Sequence, residues 1–249
     1  MSQFNIQKVI AKSRRLFSKI DSKIFCMKNP EIASIIEAII LQKLSYLEKQ
    51  TICDLVKIAI NNERKGVKGI IIEAGCALGG SAIAIASAKS KERPLYVYDV
   101  FGMIPAPSAR DGLDTQDRYQ IIESGNSSGI GGEKYYGYED DLYTRVIQSF
   151  KKFSIEPQEN NVNFIKGLYQ HTLKINSPVS FAHHIDCDWY DSVMCCLTRI
   201  EPYLSCGGTL VIDDYYHYSG SKKAVDLYFR NKKNDYKFYR KNRLHIVKI

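Results

Sequence analysis

No stretch of this 249-residue chain is apolar for long enough to cross a bilayer. The longest candidate, residues 32–44, is interrupted by Glu37 and Gln42 and falls short of the roughly 20 residues a helical span needs. The N-terminus lacks the pattern of a signal peptide, because Lys8, Lys12, Arg14 and Arg15 are spread among apolar residues with no long apolar region leading to a small-residue cleavage site. Paired cysteines are missing too. The seven cysteines are an odd number without a Cys-x-x-Cys spacing, which excludes a zinc ribbon and argues against a disulfide scaffold. Reduced thiols and a cytoplasmic location are the expectation. Also absent are a Gly-x-Gly-x-x-Gly turn, a Walker loop with its Lys-Ser/Thr, an Asn/Asp-Pro-Pro-Tyr run and an aromatic RNA-binding signature. These absences weigh against a nicotinamide-dependent (NAD(P)) oxidoreductase, a triphosphatase, and a nucleic-acid methyltransferase or basic RNA-binding module.

What is present is a net charge of +8, which suits an anionic partner: a nucleic acid, a phosphorylated sugar carrier or an acidic membrane face. Asn29-Pro30-Glu31 reads as a helix start ahead of Ile32, Ile35, Ile36, Ile39 and Ile40, with the helix running to about residue 48. Thr51-x-x-Asp54 reads as a capping box for a second helix that ends near Gly66. Residues 1–65 thus form an N-terminal helical extension, and residues 66–249 one α/β domain. In that domain short apolar runs alternate with helical segments, the pattern of a parallel sheet buried on both faces. Strands are expected at 69–73, 95–99, 162–166, 181–186 and 208–213, and helices at 81–88, 142–153 and 192–204. A closing hairpin at 236–240 and 244–249 completes a Rossmann-like, seven-stranded, mostly parallel sheet with an antiparallel C-terminal strand and helices on both faces. An antiparallel ending of this kind is typical of methyltransferases rather than dehydrogenases. Residues 106–140, rich in glycine and polar residues, are too long for an ordinary connection and read as a functional lid, with a disordered segment as the alternative.

Two groups of residues carry chemistry. The first strand runs into Glu73-Ala74-Gly75-Cys76-Ala77-Leu78-Gly79-Gly80-Ser81 and then a helix, a tight turn at which a ligand can approach the backbone. S-adenosylmethionine has no phosphate and bears a positive sulfonium, so an acid at Glu73 favours it. Asp99 ends the second strand, where an acid can accept hydrogen bonds from ribose hydroxyls. The second group is His183-His184-Ile185-Asp186-Cys187-Asp188-Trp189-Tyr190-Asp191 and Gly207-Gly208 through Asp213-Asp214-Tyr215-Tyr216. If their strands are parallel neighbours, Asp186, Asp188, Asp213 and Asp214 converge at the carboxyl edge of the sheet. Two carboxylates about 4 Å apart repel by about 4 kcal/mol at an effective dielectric near 20, so the cluster needs a proton or a cation. Oxygen donors without a cysteine partner point to Mg2+ or Mn2+ rather than zinc. Asp191 reads as the cap of the next helix, and Trp189, Tyr190, Tyr215, Tyr216 and Tyr218 as either a substrate wall or core packing.

In these blocks, and in Tyr98-Asp99-Val100-Phe101-Gly102-Met103-Ile104-Pro105 and Phe164-Ile165-Lys166-Gly167-Leu168-Tyr169, the chain resembles the macrocin O-methyltransferase family over roughly residues 70–230. It has Asp99-Val100-Phe101 where the family usually has Asp-Ser-Phe. The resemblance implies a class I, S-adenosylmethionine-dependent and metal-assisted O-methyltransferase acting on a hydroxyl of a sugar, glycan or natural-product precursor. It assigns cofactor contacts to Glu73, Gly75, Ala77, Gly79, Gly80, Ser81, Asp99, Lys166, Gly167 and Asp186. It assigns the metal to Asp186, Asp213 and Asp214, and the general base to Asp188. The implied partner is a small molecule or glycan, for which an anionic form suits the charge, and the reading leaves room for a homo-oligomer.

Overall fold

The computed structural model describes residues 3–185 and 189–249, with side chains from Leu16 onward except those of His184 and Ile185. Three helices lead the chain: α1 (Gln3–Lys28), α2 (Pro30–Leu41) and α3 (Lys49–Arg64). Pro30 occupies the first turn of α2 as its fixed φ favours, but the Asn29 side chain donates back to the Phe25 carbonyl at 2.8 Å and closes the end of α1 instead of capping α2. The expected extension of this helix to residue 48 does not occur. The backbone turns left-handed at Lys43 (φ 54°), which releases the Leu44 carbonyl to accept the Gly80 N–H at 2.9 Å. The expected capping box also fails. α3 starts at Lys49, two residues before Thr51, so Thr51 is buried inside the helix and Asp54 pairs with Lys241 at 3.3 Å.

Strands and helices then alternate: β1 (Ile70–Ala74), α4 (Gly80–Ala86), β2 (Leu95–Asp99), α5 (Leu113–Glu123), α6 (Leu142–Lys152), β3 (Val162–Lys166), α7 (Tyr169–Thr172), β4 (Val179–Ile185), α8 (Tyr190–Ile200), β5 (Leu204–Ile212), α9 (Ser219–Tyr228), β6 (Tyr236–Arg240) and β7 (Leu244–Lys248). They build one seven-stranded sheet in the order β3-β2-β1-β4-β5-β7-β6. β7 is antiparallel to both β5 and β6, and the pairs from β3 through β5 are parallel. The order reverses beside β1. This is the switch point at which open α/β sheets bind ligands.

Alternating side chains divide the interior between the two faces of the sheet. Ile71, Phe181 and Val211 point to one face, where Ile36, Ile39, Ile52, Leu55, Ile83, Val146 and Phe150 of α2, α3, α4 and α6 cover them. Ile72, Ala182 and Leu210 point to the other, beneath Val193, Leu197, Ala224 and Val225 of α8 and α9. The N-terminal helices therefore share a core with the sheet. α8 ends at Ile200 rather than continuing to residue 204, because Pro202 follows and Leu204 already pairs with Val179 at the start of β5.

Candidate functional site

The loop joining β1 to α4 is shaped by backbone conformations that side chains resist. Gly75, Ala77 and Gly79 have φ of 98°, 45° and 88°, so the chain reverses sharply and presents Gly75 and Ala77 to a cleft at the carboxyl edge of β1 and β2. The cleft is further lined by Asp99, Val100, Ile104, Pro105, Tyr136, Leu168, Tyr169, Gln170, Trp189 and Ser192. Gly79 and Gly80 do not line it. They permit packing, since a Cβ on Gly79 would lie 2.9 Å from Val146 Cγ1 and one on Gly80 would lie 2.5 Å from the Leu44 carbonyl oxygen.

The anticipated cofactor residues separate into those that face the cleft and those that build its floor. Glu73 is fully buried, accepts the Ser81 hydroxyl and lies 3.6 Å from His183 Nδ1. It ties β1, α4 and β4 together under the loop. Asp99 does reach the cleft, yet its carboxylate also accepts three backbone N–H groups: Cys76 at 2.7 Å, Ala77 at 3.1 Å and Phe101 at 2.7 Å. Burial raises its pKa above the ordinary carboxylate value, and those three N–H bonds oppose the rise. Asp99 therefore fixes the glycine loop as well as facing the cleft. Gly167, at φ 139°, donates its N–H to the Asp99 carbonyl at 2.9 Å and turns the chain so that Leu168, Tyr169 and Gln170 reach the cleft, while Lys166 is exposed beside it. Several lining residues were not assigned from the sequence. Ile104, Pro105, Leu168 and Tyr169 sit in the blocks that carry the resemblance, and their signal was position just beyond the ends of β2 and β3.

Asp186 and Asp188 lie outside the described residues. Their partners in the sequence pattern are placed: β4 and β5 are parallel neighbours, with Ala182 opposite Leu210, and Asp213 and Asp214 follow directly from β5. Both are buried. Asp213 accepts from Arg243 Nε, which the β6–β7 turn brings back to the sheet edge. Asp214 Oδ1 is 3.7 Å from His217 Nδ1, and its Oδ2 is buried with no hydrogen-bond partner. A buried carboxylate oxygen without a partner is costly, and oxygen donors of this kind suit a hard cation such as Mg2+; the neighbouring Asp213 carboxylate is already neutralised by Arg243. Among the described residues, no group of three or more acidic, histidine or cysteine side chains gathers as a metal site.

Trp189 serves both readings of the aromatic cluster. It is buried, lines the cleft, donates Nε1–H to the Pro105 carbonyl at 2.7 Å and meets Tyr218 edge to face at 5.8 Å. Asp191 is not the cap of α8. It lies in the first turn and pairs with Arg110, while the Tyr190 N–H is bound at 2.6 Å by Asp111, 79 positions away in the insertion. Asp114 does the same for α9, accepting from Ser219 N at 2.8 Å and Ser219 Oγ at 2.6 Å. The 106–140 segment thus caps both helices that follow the acidic strand ends. Sequence spacing could not reveal this, because a cap supplied across 79 or 105 positions leaves no local pattern.

A Rossmann-like sheet in this strand order, with an antiparallel strand at its C-terminal end and a ligand cleft at its switch point, has the architecture of class I methyltransferases. Residues 44–237 match the macrocin O-methyltransferase (TylF) family model; the chain belongs to that family. Demethyldecarbamoylnovobiocin O-methyltransferase of Streptomyces niveus is 27% identical over 168 residues, which cover 65% of this chain and 58% of that relative. Among solved structures, the O-methyltransferase NovP superposes with a TM-score of 0.67 at 18% identity over 82% of this chain and 81% of its own. The calicheamicin methyltransferase CalS11 superposes with a TM-score of 0.54 at 13% identity over 87% and 89%. At these identities the superpositions speak for the fold.

Proposed function

We propose that the protein transfers a methyl group from S-adenosylmethionine to a hydroxyl of a sugar or natural-product precursor, assisted by Mg2+. The observation that carries this reading is the cleft over Gly75, Ala77 and Asp99 at the carboxyl edge of β1 and β2, taken with the family to which the chain belongs. The same loop disfavours a dinucleotide. The Cys76 and Ala77 N–H groups that could bind a pyrophosphate are held by Asp99, whose negative charge would repel one. A cationic sulfonium meets no such penalty.

When bound, S-adenosylmethionine supplies an electrophilic methyl group, and Mg2+ lowers the pKa of a coordinated hydroxyl. The chain's own residues do the rest. Asp99 and the loop it fixes hold the adenosine portion against β1 and β2. Asp213 and Asp214, with Asp186, would hold the cation, while Arg243 keeps the Asp213 carboxylate oriented. Asp188 accepts the proton of the acceptor hydroxyl as its oxygen attacks the sulfonium methyl in line, the O–C bond forming as the C–S bond breaks and the neutral thioether leaves. Trp189 and Tyr136 supply apolar walls that orient the acceptor and exclude water. In this scheme residues 66–249 carry the chemistry, residues 1–65 brace the cofactor loop, and the 106–140 insertion acts as a lid pinned at Asp111 and Asp114.

Incubation with methyl-labelled S-adenosylmethionine and a pool of nucleotide sugars and glycans should move label into a hydroxyl, and chelation of Mg2+ should abolish the transfer. Label found in nucleic acid instead would sink the proposal. Cofactor binding itself should not require metal, because Asp99 is separate from Asp213 and Asp214. Calorimetry on Asp99→Ala should show a loss of at least about tenfold, roughly 1.4 kcal/mol. Unchanged affinity would remove Asp99 from the site.

A further inference from the structure

The N-terminal 28 residues hold seven Lys or Arg against a single acid, Asp21, and so account for most of the chain's charge of +8. The acid is already paired, since Lys57 of α3 donates to its carboxylate. Where its side chains are described, α1 has two distinct faces. Ser22 is buried and Phe25 and Cys26 are half-buried against the core, with Cys26 Sγ 3.8 Å from Cys53 Sγ of α3. Pointing away are Leu16, Phe17, Ile20, Ile24 and Met27, with exposures of 59%, 74%, 48%, 48% and 74%. At about 100° per residue, these five fall within an arc of roughly 100°, a continuous apolar stripe. Exposed Lys19 and Lys23 border one side of the stripe and exposed Lys28 the other.

An exposed stripe of this composition needs a cover. We propose that α1 lies on an anionic lipid surface, with Leu16, Phe17, Ile20, Ile24 and Met27 inserted among acyl chains and the flanking lysines at the headgroups. Charge complementarity selects this occupant over a second copy of the chain. Packing two such stripes against each other would bring two rows of lysines together, whereas acidic headgroups neutralise them. No described helix is long and apolar enough to cross a membrane, so the attachment is peripheral. α1 is seated through the opposite face, and none of its residues lines the cleft.

The test is co-sedimentation of the full chain with vesicles of phosphatidylcholine alone or mixed with phosphatidylglycerol. Binding should be at least about tenfold stronger to the mixed vesicles, and Phe17→Ser/Ile24→Ser, which leaves the net charge unchanged, should reduce it by at least about tenfold. Thermal melting should be unaltered, since both side chains face solvent. Lys19→Glu/Lys23→Glu provides a second reading should the serine variant melt early, and it should also lose binding to mixed vesicles. Equal binding by wild type and the serine variant would assign the attraction to net charge and overturn the proposal. So would failure to bind either vesicle, or a dimer in sedimentation velocity that the serine variant abolishes while vesicle binding is absent.

Discussion

Asp188→Asn should lower turnover by roughly 10²–10⁴-fold while leaving cofactor and Mg2+ binding near normal, the range expected when a general base is lost. The residue two positions earlier should behave differently. Asp186→Asn should weaken Mg2+ binding, and raising the metal concentration should restore part of the activity. The physical difference is that a ligand acts through occupancy, which mass action can recover, whereas a base acts through a proton-transfer step that metal cannot replace. In Asp188→Asn the rate should rise with pH as the acceptor hydroxyl ionises without the base. Single-turnover rates and metal titrations on both variants distinguish these outcomes. If Asp188→Asn loses metal and Asp186→Asn keeps it, the two roles are exchanged.

Gly80→Ala should destabilise the protein by about 1–3 kcal/mol, the usual cost of forcing extra atoms into a packed interior. The added Cβ would stand 2.5 Å from the Leu44 carbonyl oxygen and 2.7 Å from its carbon. These are backbone atoms and cannot rotate aside. Relief requires pulling residues 43–47 away from α4, which breaks the 2.9 Å bond from Gly80 N–H to Leu44 O. For a chain of this size the melting temperature should fall by about 2–4 °C for each kcal/mol. Cofactor affinity should fall with it, because the same loop holds Gly75 and Ala77. A melting point within a degree of wild type would show that the N-terminal segment yields freely and does not brace the loop.

Apolar patterning was sufficient to read the sheet. β2, β3 and β6 have the boundaries expected from the sequence, and β7 differs by one residue; of these, β2 is buried along most of its length, while β3 and β6 are the half-buried and exposed edge strands. The Gly75–Ser81 loop was equally legible, because glycines at fixed places between a strand and a helix report a reversal that other residues resist. Helix ends were less so. Gln42 to Leu47 carries enough apolar residues to continue α2, but the chain leaves the helix through a left-handed Lys43 with the Leu44 N–H on the Ile39 carbonyl, and the Leu44 carbonyl accepts the Gly80 N–H. Thr51 and Asp54 have the spacing of a cap but are drawn into the core and to Lys241.

By itself, then, the sequence determined the order of the seven strands, the family, and the acids written after the apolar runs of β2, β4 and β5, because each is written in contiguous residues; α1, α5, α7 and α9 were not expected from it. The tertiary structure alone decided which of those residues face the cleft. It placed Glu73 and Ser81 beneath the loop, bound Asp99 to three backbone amides, and set Trp189 and Tyr136 across one cleft. It also drew Asp111 and Asp114 from the insertion to cap α8 and α9, and Arg243 from the last turn to Asp213. Each of these depends on packing between segments far apart in the chain, and hydrogen bonds across such distances impose no spacing that a sequence pattern can carry.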